Sequence, residues 1–419
     1  MKKYLFSLLA VILLYVSLEL SSLLVLDLLK RVRNLEYKPV LTTVLSPEHR
    51  QTLQDLIAGK TTYLLHSPAL GWTIKPQGYW ENLYRANSKG VRADKDYQPF
   101  PRSNAVRIAT FGDSFTHGEE VKNDDTWQEQ LNRLCPQLEV INFGVGGYGL
   151  DQSFLRYENE GKLYHPHIIL IGFMQENINR SVNVFRPFYV EGLPLTKPRF
   201  IVEDDALTLL PNPMPDLTAY KKLLNNPEPF LSQFGQNDFH FSVRVRASFL
   251  DFSPSVRMIK LIYQKLYNRY LIYSDRAIYK NGYLNPKGEA FVIIKKLFDQ
   301  FYAEAQHSES LPIIVLFPCR VDMERYFKNN IKIYEPLVNY FMLQNYQYID
   351  LFDVFKKYAQ SVPLKDLFMQ DHYSPLGNSI VARGLLDYLS ENRLIKTPVI
   401  QSPIPTKQGM IQRAQQKKP

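Results

Sequence analysis

The chain has 419 residues, of which 45% are hydrophobic and 13% aromatic, so it can bury a sizeable core and is not disordered overall. Its net charge of +9 is spread along the sequence, and no zinc-ligand spacing, glycine-rich phosphate loop or nucleic-acid motif accompanies it. We therefore predict no metal, no cofactor and no nucleic-acid partner. The charge instead favours contact with anionic lipid headgroups or acidic glycans.

The first predicted element is an apolar segment from Tyr4 to Leu26, which as a helix would be about 34 Å long, enough to cross a bilayer. No small-residue cleavage site follows it, so we predict an uncleaved membrane anchor in residues 1–35. Glu19 is costly inside a span unless it is neutral, paired or near the interface, which leaves an amphipathic surface helix as the alternative. Lysine and arginine residues flank both ends, so charge does not settle the orientation.

The next segment, residues 36–104, contains short runs separated by Gly, Pro and Asn. This spacing predicts a small β-rich or irregular N-terminal extension docked on the domain that follows.

Residues 105–390 alternate apolar runs with helical patterns, which predicts a parallel sheet with helices on both faces in an α/β three-layer sandwich. A helix is expected to start at Asp125-Thr-Trp-Gln128 and a closing helix to run from Asn378 to Leu389. The five predicted strands are Val106 to Phe111, Glu139 to Phe143, His167 to Phe173, Leu311 to Phe317 and Tyr346 to Leu351.

Residues 183–300 are too long for a simple connection between strands, and we predict an insertion that forms a lid or side wall. Within it, Phe200 to Leu209 is expected to form a hairpin, and Val256 to Tyr273 a helix with apolar residues at helical spacing. Residues 391–419 end in a stretch rich in Pro, Gln and Lys, and a disordered tail is predicted there.

Four polar blocks follow or closely trail apolar runs in the order Ser, Gly, Asn, His. They are Gly112-Asp113-Ser114, the run from Asn142 to Gly147, Glu176-Asn177, and Asp371-His372 with Gly377 five residues later. This ordered set resembles the SGNH (GDSL-like) hydrolase family, over about residues 105–390. The resemblance implies a flavodoxin-like five-stranded fold and activity on ester bonds. Anchored relatives act on envelope material, so the catalytic domain is expected to be extracytoplasmic.

By position in the blocks, the resemblance makes Ser114 the nucleophile and His372 its base. The backbone N–H groups of Ser114 and Gly147 and the side-chain amide of Asn177 would form the oxyanion hole. Serine is a poor nucleophile until an imidazole accepts its proton, and the oxyanion needs fixed donors. In block three, Ile178 replaces the aspartate that commonly follows the asparagine.

The acid that orients His372 is less clear, because Met369 stands where the family usually has aspartate. Asp371 is favoured over Asp366, since Pro375 and Gly377 signal a turn that would bring its carboxylate to the ring. A Ser-His dyad held by a backbone carbonyl is the alternative. His117, three residues after the serine, is expected to be a surface residue of the turn.

We therefore predict a membrane-anchored serine ester hydrolase or O-acyltransferase that acts through an acyl-serine on an ester of a carbohydrate or lipid. The alternative is a catalytically silent carbohydrate- or lipid-binding, or envelope-assembly, module on the same scaffold. The sequence does not indicate the oligomeric state.

Overall fold

The computed structural model describes residues 2–395. Most of the predicted disordered tail, residues 396–419, lies outside the described residues.

Five parallel strands form the central sheet. They are nearly continuous apolar runs because helices cover both faces of the sheet. This confirms the predicted α/β fold, and each strand lies within two residues of its predicted bounds. The strands are β1 (Val106–Phe111), β2 (Leu138–Asn142), β3 (Ile168–Phe173), β4 (Leu311–Leu316) and β5 (Tyr348–Asp350). Their spatial order in the sheet is β2-β1-β3-β4-β5.

Two groups of helices enclose this sheet. Trp127–Leu134 shows why such helices form where they do, since the Thr126 side chain accepts a hydrogen bond from Glu129 N and caps its first turn. The buried face of this helix carries Trp127 and Leu131 one turn apart. The helices of one group are Trp127–Leu134, Leu351–Tyr358 and Pro375–Glu391, and those of the other are Leu150–Asn159 and Glu289–His307.

The N-terminal extension combines helices with short hairpins, so it is less β-rich than predicted. Its apolar residues join residues of the insertion in a second hydrophobic cluster, separate from the main core beside the sheet. The elements are Val40–Val44, Pro47–Ile57, the hairpin Leu64–Ser67 with Gly71–Ile74, and the hairpin Tyr79–Trp80 with Tyr84–Arg85.

The insertion contains the predicted hairpin, formed by Arg199–Glu203 and Ala206–Leu210 around a turn in which Asp204 and Asp205 both have positive φ. The insertion ends earlier than the predicted residue 300. Glu289–His307 begins inside the predicted range, yet it packs into the main core and belongs to the α/β layers. The other α-helices and strands between residues 183 and 288 are Arg186–Tyr189, Leu217–Asn225, Pro227–Phe234, Phe239–Ser242, Pro254–Tyr273 and the hairpin Tyr279–Lys280 with Tyr283–Leu284.

The N-terminal helix is longer than predicted and runs over Lys2–Arg33. With a mean hydropathy of 2.3 over its most apolar part, it is long and apolar enough to cross a bilayer. Nearly all of its apolar side chains are exposed, and it packs against helix Pro254–Tyr273. The remaining α-helices described are Ser114–His117, Asn177–Arg180, Arg320–Asn329, Glu335–Leu343 and Leu364–Leu367.

Candidate active site

Ser114 lies at the carboxyl edge of the sheet, at the start of the single helical turn Ser114–His117 that follows β1. The Asp113 side chain caps this turn by accepting a hydrogen bond from Phe115 N at 3.0 Å. Residue 112 must be glycine here, because a Cβ atom on it would lie 2.1 Å from Thr116 Oγ1. The strand end and the cap thus hold the serine at the edge where open α/β sheets bind ligands.

His372 lies in a tight turn just before the last helix, where Met369 N donates to the carbonyl of His372 at 2.9 Å. Ser374 then caps that helix, since its side chain accepts from Gly377 N at 3.1 Å. The His372 ring packs on the ring of Phe115, the residue after the nucleophile candidate, with centroids 5.1 Å apart. The fold therefore brings the predicted serine and histidine blocks together.

The carboxylate on the His372 ring is that of Glu120, in place of the predicted Asp371. Glu120 Oε1 lies 2.8 Å from His372 Nδ1 and also accepts from the backbone N–H of Asp371 at 3.3 Å. Among the described residues, no hydrogen bond joins the Asp371 side chain to the ring. The sequence analysis did not predict Glu120 as the orienting acid, because it considered only acids close to His372 in sequence. Glu120 instead comes six residues after Ser114.

Glu120 is held in an unusual backbone conformation, with φ +70° in the left-handed region. Its N–H donates to the hydroxyl of Tyr84 at 2.9 Å, which helps to fix the residue there. Non-glycine residues in this region cost free energy and concentrate at functional sites. In this conformation the Glu120 carboxylate meets the ring of His372.

The pKa values of this pair move apart in the way an acid–base pair requires. Burial acts to raise the pKa of Glu120, but the hydrogen bond and charge of His372 outweigh it and lower that pKa. Burial acts to lower the pKa of His372, but the hydrogen bond to Glu120 and the charges of Glu119 and Glu120 raise it above 6.5. The imidazole thus becomes a better proton acceptor.

A second carboxyl group, that of Glu119, faces the other ring nitrogen. Glu119 Oε2 lies 3.6 Å from His372 Nε2, and its Oε1 lies so close to Gly146 that a Cβ atom there would be 1.9 Å away. Burial raises the pKa of Glu119, with the charge of His372 opposing the shift. Glu119 therefore lines the space between the imidazole and the glycine loop, residues 143–149, and a side chain at residue 146 would displace its carboxyl group.

Gly147 has φ +77°, a conformation that favours glycine, and its carbonyl accepts from Arg186 Nη1 at 3.2 Å. Arg186 belongs to the insertion, and burial, together with the nearby charge of Arg180, lowers its pKa to about 10. The insertion thus reaches the predicted oxyanion loop with a guanidinium group.

Asn177 lies beside the serine turn, as predicted, but its amide group already has partners. Its Nδ2 donates to Asp113 Oδ2 at 2.9 Å and to the carbonyl of Tyr148 at 3.3 Å, and its Oδ1 accepts from Met174 N at 3.1 Å. An amide nitrogen has two hydrogens, so a bond to an oxyanion requires release of one partner. The oxyanion roles of Ser114, Gly147 and Asn177 stay predictions.

The N-terminal extension supports the turn that carries both glutamates. Arg92 is 3% exposed, and its guanidinium donates to the carbonyls of His117, Gly118 and Val121.

The prediction that His117 is a surface residue is wrong. Its ring is 1% exposed and lies 2.6 Å from the hydroxyl of Tyr63. Burial, with the charge of Arg92, lowers the pKa of His117 well below 6.5 and keeps the ring neutral.

We expect the substitution Arg92→Met to lower the free energy of unfolding by about 3 kcal/mol, because it leaves several buried carbonyls without donors. It should also reduce any ester-hydrolysing activity, since the Glu120 turn loses its support. Thermal denaturation and a rate assay on the folded variant measure the two effects. The matched control is Arg102→Met at a side chain 59% exposed, and an equal loss in both variants would contradict the structural role of Arg92.

No family model matches the sequence, and no curated protein sequence is detectably similar to it. The fold is similar to a member of the lipolytic protein G-D-S-L family from Veillonella parvula DSM 2008, at 13% identity, covering 68% of this chain and 97% of that one with a TM-score of 0.34. It is also similar to a catalytic mutant of an acetylxylan esterase from Geobacillus stearothermophilus, at 10% identity. That match covers 69% of this chain and 96% of the esterase, with a TM-score of 0.36.

A third similar structure is a two-domain esterase active on acetylated mannans, at 12% identity, covering 72% of this chain and 53% of that one with a TM-score of 0.34. The solved structures similar to this chain therefore include a G-D-S-L lipolytic protein and esterases.

Proposed function

We propose that this chain is a membrane-anchored serine ester hydrolase, with Ser114 as nucleophile, His372 as base and Glu120 as the acid that orients the base. The observation that carries the proposal is the 2.8 Å contact between His372 Nδ1 and Glu120 Oε1, beside the capped turn that begins with Ser114. A carboxylate on Nδ1 fixes the orientation of the imidazole and leaves Nε2, which Glu119 Oε2 faces at 3.6 Å, as the nitrogen that accepts the proton. The substrate class is an acyl ester of a carbohydrate or lipid.

In this mechanism Ser114 Oγ attacks the acyl carbon while His372 takes the hydroxyl proton, and the carbonyl π electrons move to the oxygen. The C–O bond to the leaving alcohol then breaks, and the imidazolium returns the proton to the departing oxygen. Glu120 stabilises the imidazolium between the two steps. Water attacks the acyl-serine in the second half-reaction, with His372 again as the base.

Transfer to a sugar hydroxyl is a second candidate, because hydrolysis and transfer share the acyl-serine and differ only in the acceptor. The observation that favours it is the contact of Arg186, from the insertion, with the carbonyl of Gly147. A wall of this kind restricts access of water to an acyl-enzyme until an acceptor binds. The apolar helix Lys2–Arg33 would place such a site at a membrane, where we propose an extracytoplasmic orientation.

A competition reaction tests both candidates. We expect the full chain, purified in detergent, to consume p-nitrophenyl acetate and to gain the mass of one acetyl group when sampled early. Mass spectrometry of added oligosaccharides then reports whether acetyl groups reach a sugar hydroxyl. Free acetate as the sole product across a glycan panel supports hydrolysis alone, whereas absence of both turnover and acylated protein would favour the silent binding module.

A further inference from the structure

Helix Pro254–Tyr273, within the insertion, displays an exposed stripe of apolar side chains. At about 100° per residue they fall on one face of the helix, and each is between 48% and 71% exposed. Helix Glu289–His307 has a similar length, but its apolar residues are buried against the sheet. The exposed stripe consists of Ile259, Ile262, Tyr263, Leu266, Tyr270 and Tyr273.

The opposite side of the helix is attached to the domain. Leu261 and Leu271 are buried, and Leu271 lines a cavity of about 660 Å³ between the helix and other parts of the insertion, among them Phe188, Phe239 and Ile278. The helix is therefore fixed in its orientation, and its apolar stripe faces outward. A contiguous group of exposed apolar side chains on a folded domain often marks an interaction surface.

The stripe is continuous with the N-terminal apolar helix. The Glu19 carboxylate accepts hydrogen bonds from Ser255 N at 3.0 Å and from the hydroxyls of Ser253 and Ser255 at 2.7 Å, so it caps the amino end of helix Pro254–Tyr273. Phe249 and Phe252, 87% and 73% exposed, extend the apolar surface at the same end. Two apolar surfaces thus meet where Glu19 lies.

The position of Glu19 in the N-terminal helix also sets how deep in a bilayer the two apolar surfaces would meet. The residues from Lys3 to Leu18, at about 1.5 Å each, span about 24 Å, whereas a hydrocarbon core is about 30 Å thick. The amino end of helix Pro254–Tyr273 would then lie about 6 Å inside one boundary, which is the depth at which amphipathic interfacial helices reside. The capping bonds satisfy the carboxylate at this level, where an unpaired charge is costly.

Basic residues beside the apolar stripe also favour a membrane as its partner. Lys265 and Arg269 are exposed and lie together along one side of the stripe, as expected for a helix that meets anionic headgroups. We propose that helix Pro254–Tyr273 is a second membrane contact, which lies in the interface of a bilayer containing anionic lipids. This proposal rests on the membrane location proposed above, and it is independent of the acyl-serine chemistry.

The test uses the full chain, reconstituted in vesicles of phosphatidylcholine and phosphatidylglycerol whose acyl chains are brominated near the carbonyl end. Bromine quenches tryptophan at short range, so the variant Leu266→Trp should lose most of the emission contributed by its added tryptophan. Leu163→Trp is the matched control, since these leucines are 63% and 61% exposed and Leu163 lies near the start of β3. Its added emission should be the same with and without bromine.

Vesicles without phosphatidylglycerol should reduce the quenching at residue 266, and the double substitution Lys265→Gln with Arg269→Gln should remove that lipid dependence. Flotation separates the possible failures. A chain that floats but shows equal emission changes at residues 266 and 163 overturns the interfacial helix alone, as does a concentration-dependent dimer that protects residue 266. A chain that does not float overturns the membrane location as well. Ester turnover bears on neither result.

Discussion

Replacement of Ser114 by alanine is expected to lower kcat for ester hydrolysis by about 10⁶-fold, because the acyl-serine can no longer form. The side chain is 5% exposed, and the change removes a single hydroxyl group, so the fold should be retained. Hydrolysis of an aryl ester, together with thermal denaturation of the same preparation, measures both properties. The acetyl adduct on the intact protein should disappear with the activity.

Ser310→Ala is the matched control for this experiment. Ser310 is also 5% exposed, but its hydroxyl donates to the carbonyl of Pro166 at 2.6 Å, at the opposite edge of the sheet. The control should keep the parent rate. Activity that survives in purified Ser114→Ala protein would exclude the acyl-serine mechanism.

The second large effect is expected for Glu120→Gln, which keeps the size of the side chain but removes its charge. Loss of a triad acid in this way lowers kcat by about 10⁴-fold, because the imidazole loses its orientation and the imidazolium its stabilisation. Asp371→Asn is the control, and it should stay close to the parent rate since only the backbone of Asp371 contacts Glu120. A large loss in Asp371→Asn with a small one in Glu120→Gln would reverse the two assignments.

The pH profile checks the same assignment in a different way. The base must be neutral to accept a proton, so kcat/KM should rise with pH through the pKa of His372, which is raised above 6.5. Without the Glu120 carboxylate, burial disfavours the imidazolium and that pKa falls. The acid limb of the residual activity in Glu120→Gln should therefore move to lower pH. An unmoved limb would show that Glu120 does not interact with the base.

The sheet was predictable because its signals are local. Each strand is a short apolar run, and the capping pattern around Thr126 and Trp127 fixes a helix start within a few residues. The serine and histidine blocks could also be predicted, since Ser114 closely follows a strand and His372 closely precedes a helix. Local chemistry was enough to place these parts of the site.

The orienting acid could not be found in the same way. Glu120 and His372 are 252 residues apart in sequence, and their contact depends on how the turn after Ser114 returns toward the last helix. That path is set by Arg92 and Tyr84, from a segment whose pattern carries no chemical motif. The burial of His117 has the same origin, because Tyr63 and Arg92 cover a side chain that an isolated turn would expose.

The second hydrophobic cluster also constrains the order in which the chain can fold during synthesis. It combines residues of the extension and the insertion, including Leu53, Trp72, Phe185 and Phe234, with Val145 and Tyr148 of the glycine loop, and is separate from the main core. The extension leaves the ribosome long before the insertion is made. Contacts between residues so far apart in sequence also form slowly. The residues that the extension contributes to this cluster therefore stay without their partners until the insertion has been made.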